Sequence, residues 1–250
     1  MTAPAIGPRT TSEVAIVIPM LDEEKALPAT IANIAALYPA PAEVIAIDGG
    51  SADGSVALAR EAGFRVVGSA RGRALQINRG VEEARAPLVL VLHADTALPA
   101  DALAHAERTL ADPRYALGGF TALLTGAKTR WGTSFHNWAK TYYGPILLRP
   151  HLFLRGLRLL FGDHAMFFRR EDFRAIGGCD PDMHIMEDVD LCLKLCRIGR
   201  VKLVPRIVRT SDRRIAEWGP IKANWIYMKC GMNWAFGRKY GLERWYPDIR

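Results

Sequence analysis

Val44-Ile45-Ala46-Ile47-Asp48-Gly49-Gly50-Ser51-Ala52-Asp53-Gly54-Ser55 is the stretch that decides the fold. An apolar run without alternation ends on an acid, a glycine-rich turn follows, and Ser55 to Ala62 reads as a helix ended by Gly63. An unbroken apolar strand is one covered on both faces, and such strands belong to parallel sheets packed between helices. The same unit recurs on both sides. Upstream, Val14-Ala15-Ile16-Val17-Ile18 is a strand stopped by Pro19, and Leu27 to Leu37 carries the apolar period of a helix closed by Pro39. Downstream, Arg65-Val66-Val67 is a short strand, Ala74 to Ala84 a helix, and Leu88 to Leu92 a strand that runs into His93-Ala94-Asp95. This alternation predicts an α/β class with a mostly parallel central sheet, flanking helices and right-handed crossovers.

The later chain is less regular. Asp101 to Leu110 reads as a helix, and Tyr115 to Leu124 as a strand pair broken at Gly118-Gly119. From Lys128 to Gly162 aromatic and basic residues mix without a clean period. Ala165 to Arg170 resembles a strand, Glu171 to Ile176 a short helix, Asp188 to Ile198 a helix ended by Gly199, and Val201 to Val204 a last strand. The tail from Arg213 to Tyr240 reads as an amphipathic surface or lid helix.

The chain has 250 residues, half of them hydrophobic, which suffices for one large core, so residues 1–250 are expected to form one domain. A net charge of +7 favours anionic partners of some kind. The four cysteines include Cys192 and Cys196 in an apolar helical segment with no second pair, which predicts buried thiols in a reducing compartment rather than a zinc site. Met1 to Ser12 has no apolar signal core, and no run is long enough to span a bilayer, so a cytoplasmic protein is expected.

Function is suggested by where the acids stand. Ligands bind beyond the carboxyl ends of parallel strands, and Asp48 and Asp95 close two of them, with Glu187-Asp188-Val189-Asp190 following later. Carboxylates gathered at one edge repel one another unless a cation or a cationic group joins them. Turn capping by Asp48 and Asp95 is the alternative. Gly49 to Gly54 is not the dinucleotide fingerprint, because Ser51 stands where that pattern needs glycine, and a phosphate-loop lysine is absent.

Taken together, Pro19-Met20-Leu21-Asp22-Glu23-Glu24, Asp48-Gly49-Gly50-Ser51-Ala52-Asp53-Gly54-Ser55 and His93-Ala94-Asp95-Thr96 resemble a family 2 glycosyltransferase of the GT-A fold, whose sheet is Rossmann-like. Gly162-Asp163-His164, Phe168-Arg169-Arg170, Gly177-Gly178 and Met186-Glu187-Asp188 continue the resemblance in order, over roughly residues 13 to 215. The His-Ala-Asp-Thr variant and Thr210-Ser211-Asp212-Arg213-Arg214 are similar to a subgroup of small stand-alone bacterial members. Asp22, Gly49 and His93 depart from the family's usual asparagine, second aspartate and first metal-motif aspartate.

The resemblance implies a nucleotide-diphospho-sugar donor, UDP-linked by preference, bound by residues 13–125, with an acceptor half at 126–212 and a helical tail at 213–250. Pro19, Leu21 and Glu23 would wall the nucleoside, and Asp48, with Gly50 and Ser51, would read base or ribose. Arg71 and Arg73 would face phosphate. Asp95, beside Ala94, would hold a divalent metal, Mg²⁺ or Mn²⁺, and replacement of the first aspartate by His93 predicts that metal and donor arrive together. Asp188 would be the general base, with Glu187 beside it, implying single displacement with inversion. Asp163, His164 and Glu187 are the acceptor-side candidates, and a purely structural histidine is an equal reading of His164. Arg213 and Arg214 would close over the diphosphate, against a simple solvated face as the alternative.

Rival readings are a sugar nucleotidyltransferase, which wants a glycine-rich loop after the first strand, and a phosphatase, whose nucleophile position holds His93. A non-catalytic basic module is the rival of another class, although nucleic acid is not the expected partner. A polyprenyl-phosphate or other lipid acceptor at the inner membrane face is the alternative to a small metabolite, motivated by Leu147-Leu148-Arg149, Leu152-Phe153-Leu154-Arg155 and the tail tryptophans. Those aromatics serve equally as acceptor wall and core.

Overall fold

The computed structural model describes residues 11–245, so most of the polar segment Met1 to Ser12 and the last residues of the tail lie outside it. Its first half is the predicted alternation: β1 (Val14–Met20), α1 (Leu27–Ala35), β2 (Glu43–Asp48), α2 (Ser55–Glu61), β3 (Arg65–Gly68), α3 (Arg73–Glu83) and β4 (Leu88–Val91). Then come β5 (Thr96–Ala97), α4 (Ala102–Leu110), β6 (Tyr115–Thr125), α5 (Trp131–Leu148) and α6 (Pro150–Leu154). A 3-10 turn, Gly162–His164, leads to β7 (Phe167–Arg169), α7 (Arg170–Ala175), α8 (Glu187–Leu195), β8 (Arg200–Ser211), α9 (Arg213–Trp218) and α10 (Pro220–Ala235), and a second 3-10 turn follows at Leu242–Trp245.

The strands form one sheet in the order β3-β2-β1-β4-β7-β6-β8-β5. The block β3-β2-β1-β4 is parallel throughout, β7 runs antiparallel to both β4 and β6, β6 and β8 are again parallel, and β5 returns antiparallel against β8. Side-chain alternation along β1 divides the core in two. Val14, Ile16 and Ile18 pack with Leu27, Ile34, Leu103 and Leu110 under α1 and α4, while Ala15 and Val17 pack with Ile77, Val81, Val189 and Leu195 under α3 and α8. Gly80 lets α3 lie against the sheet, because a Cβ there would come within 2.2 Å of Val17 Cγ1.

Two expectations are corrected. Tyr115 to Leu124 is one strand, since Gly118 and Gly119 are needed for packing rather than turning: a Cβ on the first would meet the Phe167 ring, and on the second Leu160. The final strand does not stop at Val204 but continues through Pro205 to Ser211, with a register irregularity against Phe120/Thr121 beside the proline; a bulge is where a strand tolerates a residue without an N–H. Residues 128–162, where the sequence shows no clean period, hold α5 and α6. The faces of α5 are inverted: Ser134, Asn137 and Thr141 are buried, while Trp131, Phe135, Trp138 and Ile146, which follow helical spacing, are exposed. A small third cluster, Leu124 with Ile215 and Ala223, fastens α9 and α10 to the end of β6. Among the described residues no helix is long and apolar enough to cross a membrane.

Candidate active site

A cleft of about 720 Å³ opens at the carboxyl ends of β1 and β4 and is walled further out by α5, α8 and α10. Pro19, Glu23, Arg73, His93, Ala94 and Asp95 line it from the sheet edge, and Gly162, Asp163, Glu187 and Asp188 from the 3-10 turn and the start of α8. Pairing of β5 with β8, Thr96 opposite Thr210, brings residues of distant sequence onto Asp95. Ser211 N–H donates to the Asp95 carbonyl at 3.2 Å, and Arg213 then reaches Asp95 Oδ2 at 3.3 Å and Glu23 Oε1 at 2.9 Å. One guanidinium therefore bridges the two carboxylates of the sheet edge. Arg214 lines the same wall.

Asp188 is held from two sides. Gly162 N–H donates to its Oδ2 and Val189 N–H to its Oδ1, each at 2.7 Å, and it opens a helix whose dipole favours acids there. Burial, reinforced by the Glu187 charge, overcomes those bonds and pushes its carboxyl up to about 7, the range a general base needs near neutral pH. Glu187 is buried and pairs with Arg73 at 3.2 Å, so its carboxylate orients that arginine at the cleft wall. Among the described non-glycine residues, Asp22, Ala165 and Met186 hold positive φ, and each adjoins a loop of the cleft. Strain of this kind gathers where geometry is imposed for function.

The remaining predicted residues divide. Asp163 lines the cleft and accepts from Asn137 Nδ2 at 2.8 Å, whereas His164 is wholly buried behind it, and that burial lowers its pKa. Asp48 does not border the cleft; its carboxylate turns back to accept from Gly50 and Ser51 N–H, the turn-capping alternative. Leu21, Gly50 and Ser51 likewise sit off the cleft wall, in loops tied together by Asp22 N–H donating to Ser51 Oγ and Ala52 N–H to Asp22, and Arg71 does not line the cleft. The convergence expected of Asp48, Asp95 and Asp188 thus holds for the last two.

Sequence reasoning missed Lys140. It reaches the cleft from α5 with its ammonium 3.8 Å from the Phe161 ring centroid and 5.3 Å from that of Tyr227, and burial lowers its pKa against the pull of Asp163 and Asp188. The available signal was the absence of any acid between Gly126 and Gly162. His93, which replaces an aspartate of the usual motif, also faces the cleft. Burial and the neighbouring Arg73, Arg214 and Arg213 charges hold its imidazole well below the ordinary value, hence neutral, and it packs so close to Gly162 that a Cβ there would lie 2.4 Å from Cε1.

Whether these residues suit a divalent cation follows from the donor set. Among the described residues no group of three histidine, cysteine or acidic side chains is disposed to hold a metal. Asp95 alone fits one whose other ligands come from a phosphate-bearing partner, and a positive group already bridges it to Glu23.

The model of glycosyl transferase family 2 matches residues 15–177. The chain belongs to that family. No curated protein matches the sequence. Among solved structures, this family 2 chain is similar to a mannosyltransferase from Pyrobaculum calidifontis in complex with GDP-Man and Mn²⁺ (19% identity, TM-score 0.66, 91% of this chain and 64% of that one). It is also similar to glucosyl-3-phosphoglycerate synthase from Mycobacterium tuberculosis in complex with Mn²⁺, UDP and phosphoglyceric acid (17%, 0.67, 92% and 78%) and to S. aureus TarS in complex with UDP-GlcNAc (13%, 0.61, 80% and 58%). The family 2 chain thus spans less than two thirds of the mannosyltransferase and of TarS. These likenesses establish the GT-A arrangement of sheet and helices.

Proposed function

We propose that the chain transfers a sugar, with inversion, from a nucleotide-diphospho-sugar to a hydroxyl-bearing acceptor. The observation that carries this reading is the meeting in one cleft of Asp95, bridged by Arg213, with Asp188, a carboxylate tuned to neutrality and aimed from a helix start. Family membership and the ligands of the similar structures, GDP-Man, UDP and UDP-GlcNAc with Mn²⁺ in two of the complexes, support the donor class.

Asp188 accepts the proton of the acceptor hydroxyl as that oxygen attacks the anomeric carbon, and its two N–H partners hold it in line. Arg213 exchanges its contacts with Glu23 and Asp95 for the oxygens of the departing diphosphate, whose charge grows as the sugar bond breaks, and Arg214 on the same wall adds its charge. Arg73, fixed by Glu187, adds a third cation to that wall. Asp95 would hold Mg²⁺ or Mn²⁺ together with donor phosphates, and the cation would supply further neutralisation of the leaving group. Asp163 and Lys140 face the acceptor side.

The test is a panel of nucleotide sugars assayed for Mn²⁺- or Mg²⁺-dependent thermal stabilisation and slow hydrolysis. A stabilising donor is expected whose effect Asp95→Asn removes and Asp188→Asn preserves. Stabilisation by no member of the panel, with or without metal, would refute the assignment.

A further inference from the structure

The helices that wall the outer cleft are built inside out. On α5 the exposed positions Trp131, Phe135, Trp138 and Ile146 follow helical spacing, with Leu147 beyond them 73% exposed, and on α6 Leu154 is 80% exposed. On α10 Ile221, Trp225, Met228 and Met232 repeat the same spacing, with Ile221 86% exposed. A helix normally turns its polar side outward, and contiguous exposed apolar surface on this scale marks a docking site. The charge of these segments decides what docks. Residues 126–162 contain six Lys or Arg and residues 219–241 four, with no Asp or Glu in either; Lys128, Arg155, Lys222 and Arg238 are exposed. A protein partner of ordinary mixed charge asks for no such exclusion of acids. A bilayer with anionic headgroups does, because apolar and aromatic side chains enter the interface while each cation gains from the surface potential.

The cleft opens through this face. Tyr143 and Leu148 of α5 and Trp225, Met228 and Met232 of α10 are at once exposed and part of the cleft lining, so they form its mouth. His136 on α5 and Asn224 on α10 hold the two helices across it at 3.1 Å. Behind the mouth stands the ammonium of Lys140, ringed by Phe161 and Tyr227, and then Asp188. We propose that α5, α6 and α10 form a face that docks on an anionic lipid bilayer with the cleft mouth turned to the lipid, so that the acceptor is drawn from the membrane. The second half of this statement rests on the transfer reading above. The docking itself does not.

Flotation of the full chain with vesicles separates the two. At low salt the protein is expected to float with phosphatidylcholine vesicles containing one third phosphatidylglycerol at least roughly tenfold more than with phosphatidylcholine alone, and high salt is expected to release it. The triple variant Leu147→Asp, Leu154→Asp, Ile221→Asp changes side chains that lie outside the cleft, so it is expected to keep its melting temperature and its donor-induced stabilisation while losing flotation. Wild-type protein that stays at the bottom of the gradient overturns the proposal, as does a triple variant that floats as well as wild type. A wild-type dimer in light scattering that the triple variant converts to monomer, without flotation of either, assigns the face to a second copy of the chain and also overturns it. Donor binding without flotation would leave the transfer reading intact and remove only the membrane.

Discussion

Asp188→Asn should gain stability relative to wild type as pH rises and lose activity, and the pH dependence of the first effect is fixed by the structure. An ordinary aspartate titrates near 3.8, and this one is pushed up to about 7 by burial and by Glu187. Between those values the unfolded chain has released its proton while the folded chain still holds it. Each unit of rising pH in that window therefore costs the fold about 1.4 kcal/mol. From about pH 5 to about pH 7 the loss is roughly 3 kcal/mol, and above the folded value it levels off. Asparagine cannot ionise, so the variant escapes this loss. It pays a constant offset instead, because its single carbonyl oxygen serves only one of the two N–H groups of Gly162 and Val189. The stability of Asp188→Asn relative to wild type should thus rise by about 3 kcal/mol from about pH 5 to about pH 8, or about 6–12 °C in Tm for a chain of this size. Differential scanning calorimetry of donor-free protein at the two pH values measures it. Sugar transfer should fall by roughly 10²- to 10⁴-fold, and wild-type kcat/KM should climb with pH through about 7. A variant whose advantage is the same at both pH values would show that Asp188 is ionised across the range, and the reasoning from its burial would be wrong.

Three further outcomes follow from the same geometry. Asp95→Asn should abolish metal-linked donor binding and lower transfer on the order of a hundredfold, read by calorimetric titration with and without Mn²⁺; unchanged metal dependence would place the cation elsewhere. Arg213→Ala removes the guanidinium shared by Glu23 and Asp95, so Mn²⁺ without nucleotide should bind more tightly than in wild type while the KM for donor rises; the nucleotide-free binding isotherm decides. Gly162→Ala drives a methyl into His93, which lies 2.4 Å from the new Cβ, and should destabilise by about 1–3 kcal/mol in a denaturant titration.

The strand, turn and helix repeats of residues 14–92 were legible because each β–α unit buries its strand on both faces, and burial on both faces writes an unbroken apolar run into the sequence. Asp95 and Asp188 were legible for a related reason: strand ends and helix starts are local features, and both residues occupy them. What the sequence alone determined, then, is the α/β class, the sheet edge at which the site would form, and the acids that stand there. Tertiary structure decided the rest. That the Asp48 carboxylate accepts from the N–H groups of Gly50 and Ser51 in its own turn is visible only in the folded loop. Arg213 meets Glu23 across 190 residues only because β5 pairs with β8. Lys140 and the lining of α5 were hidden because that helix buries its polar side and exposes its aromatic one, a reversal that a hydropathy pattern cannot orient until the neighbours of each face are known.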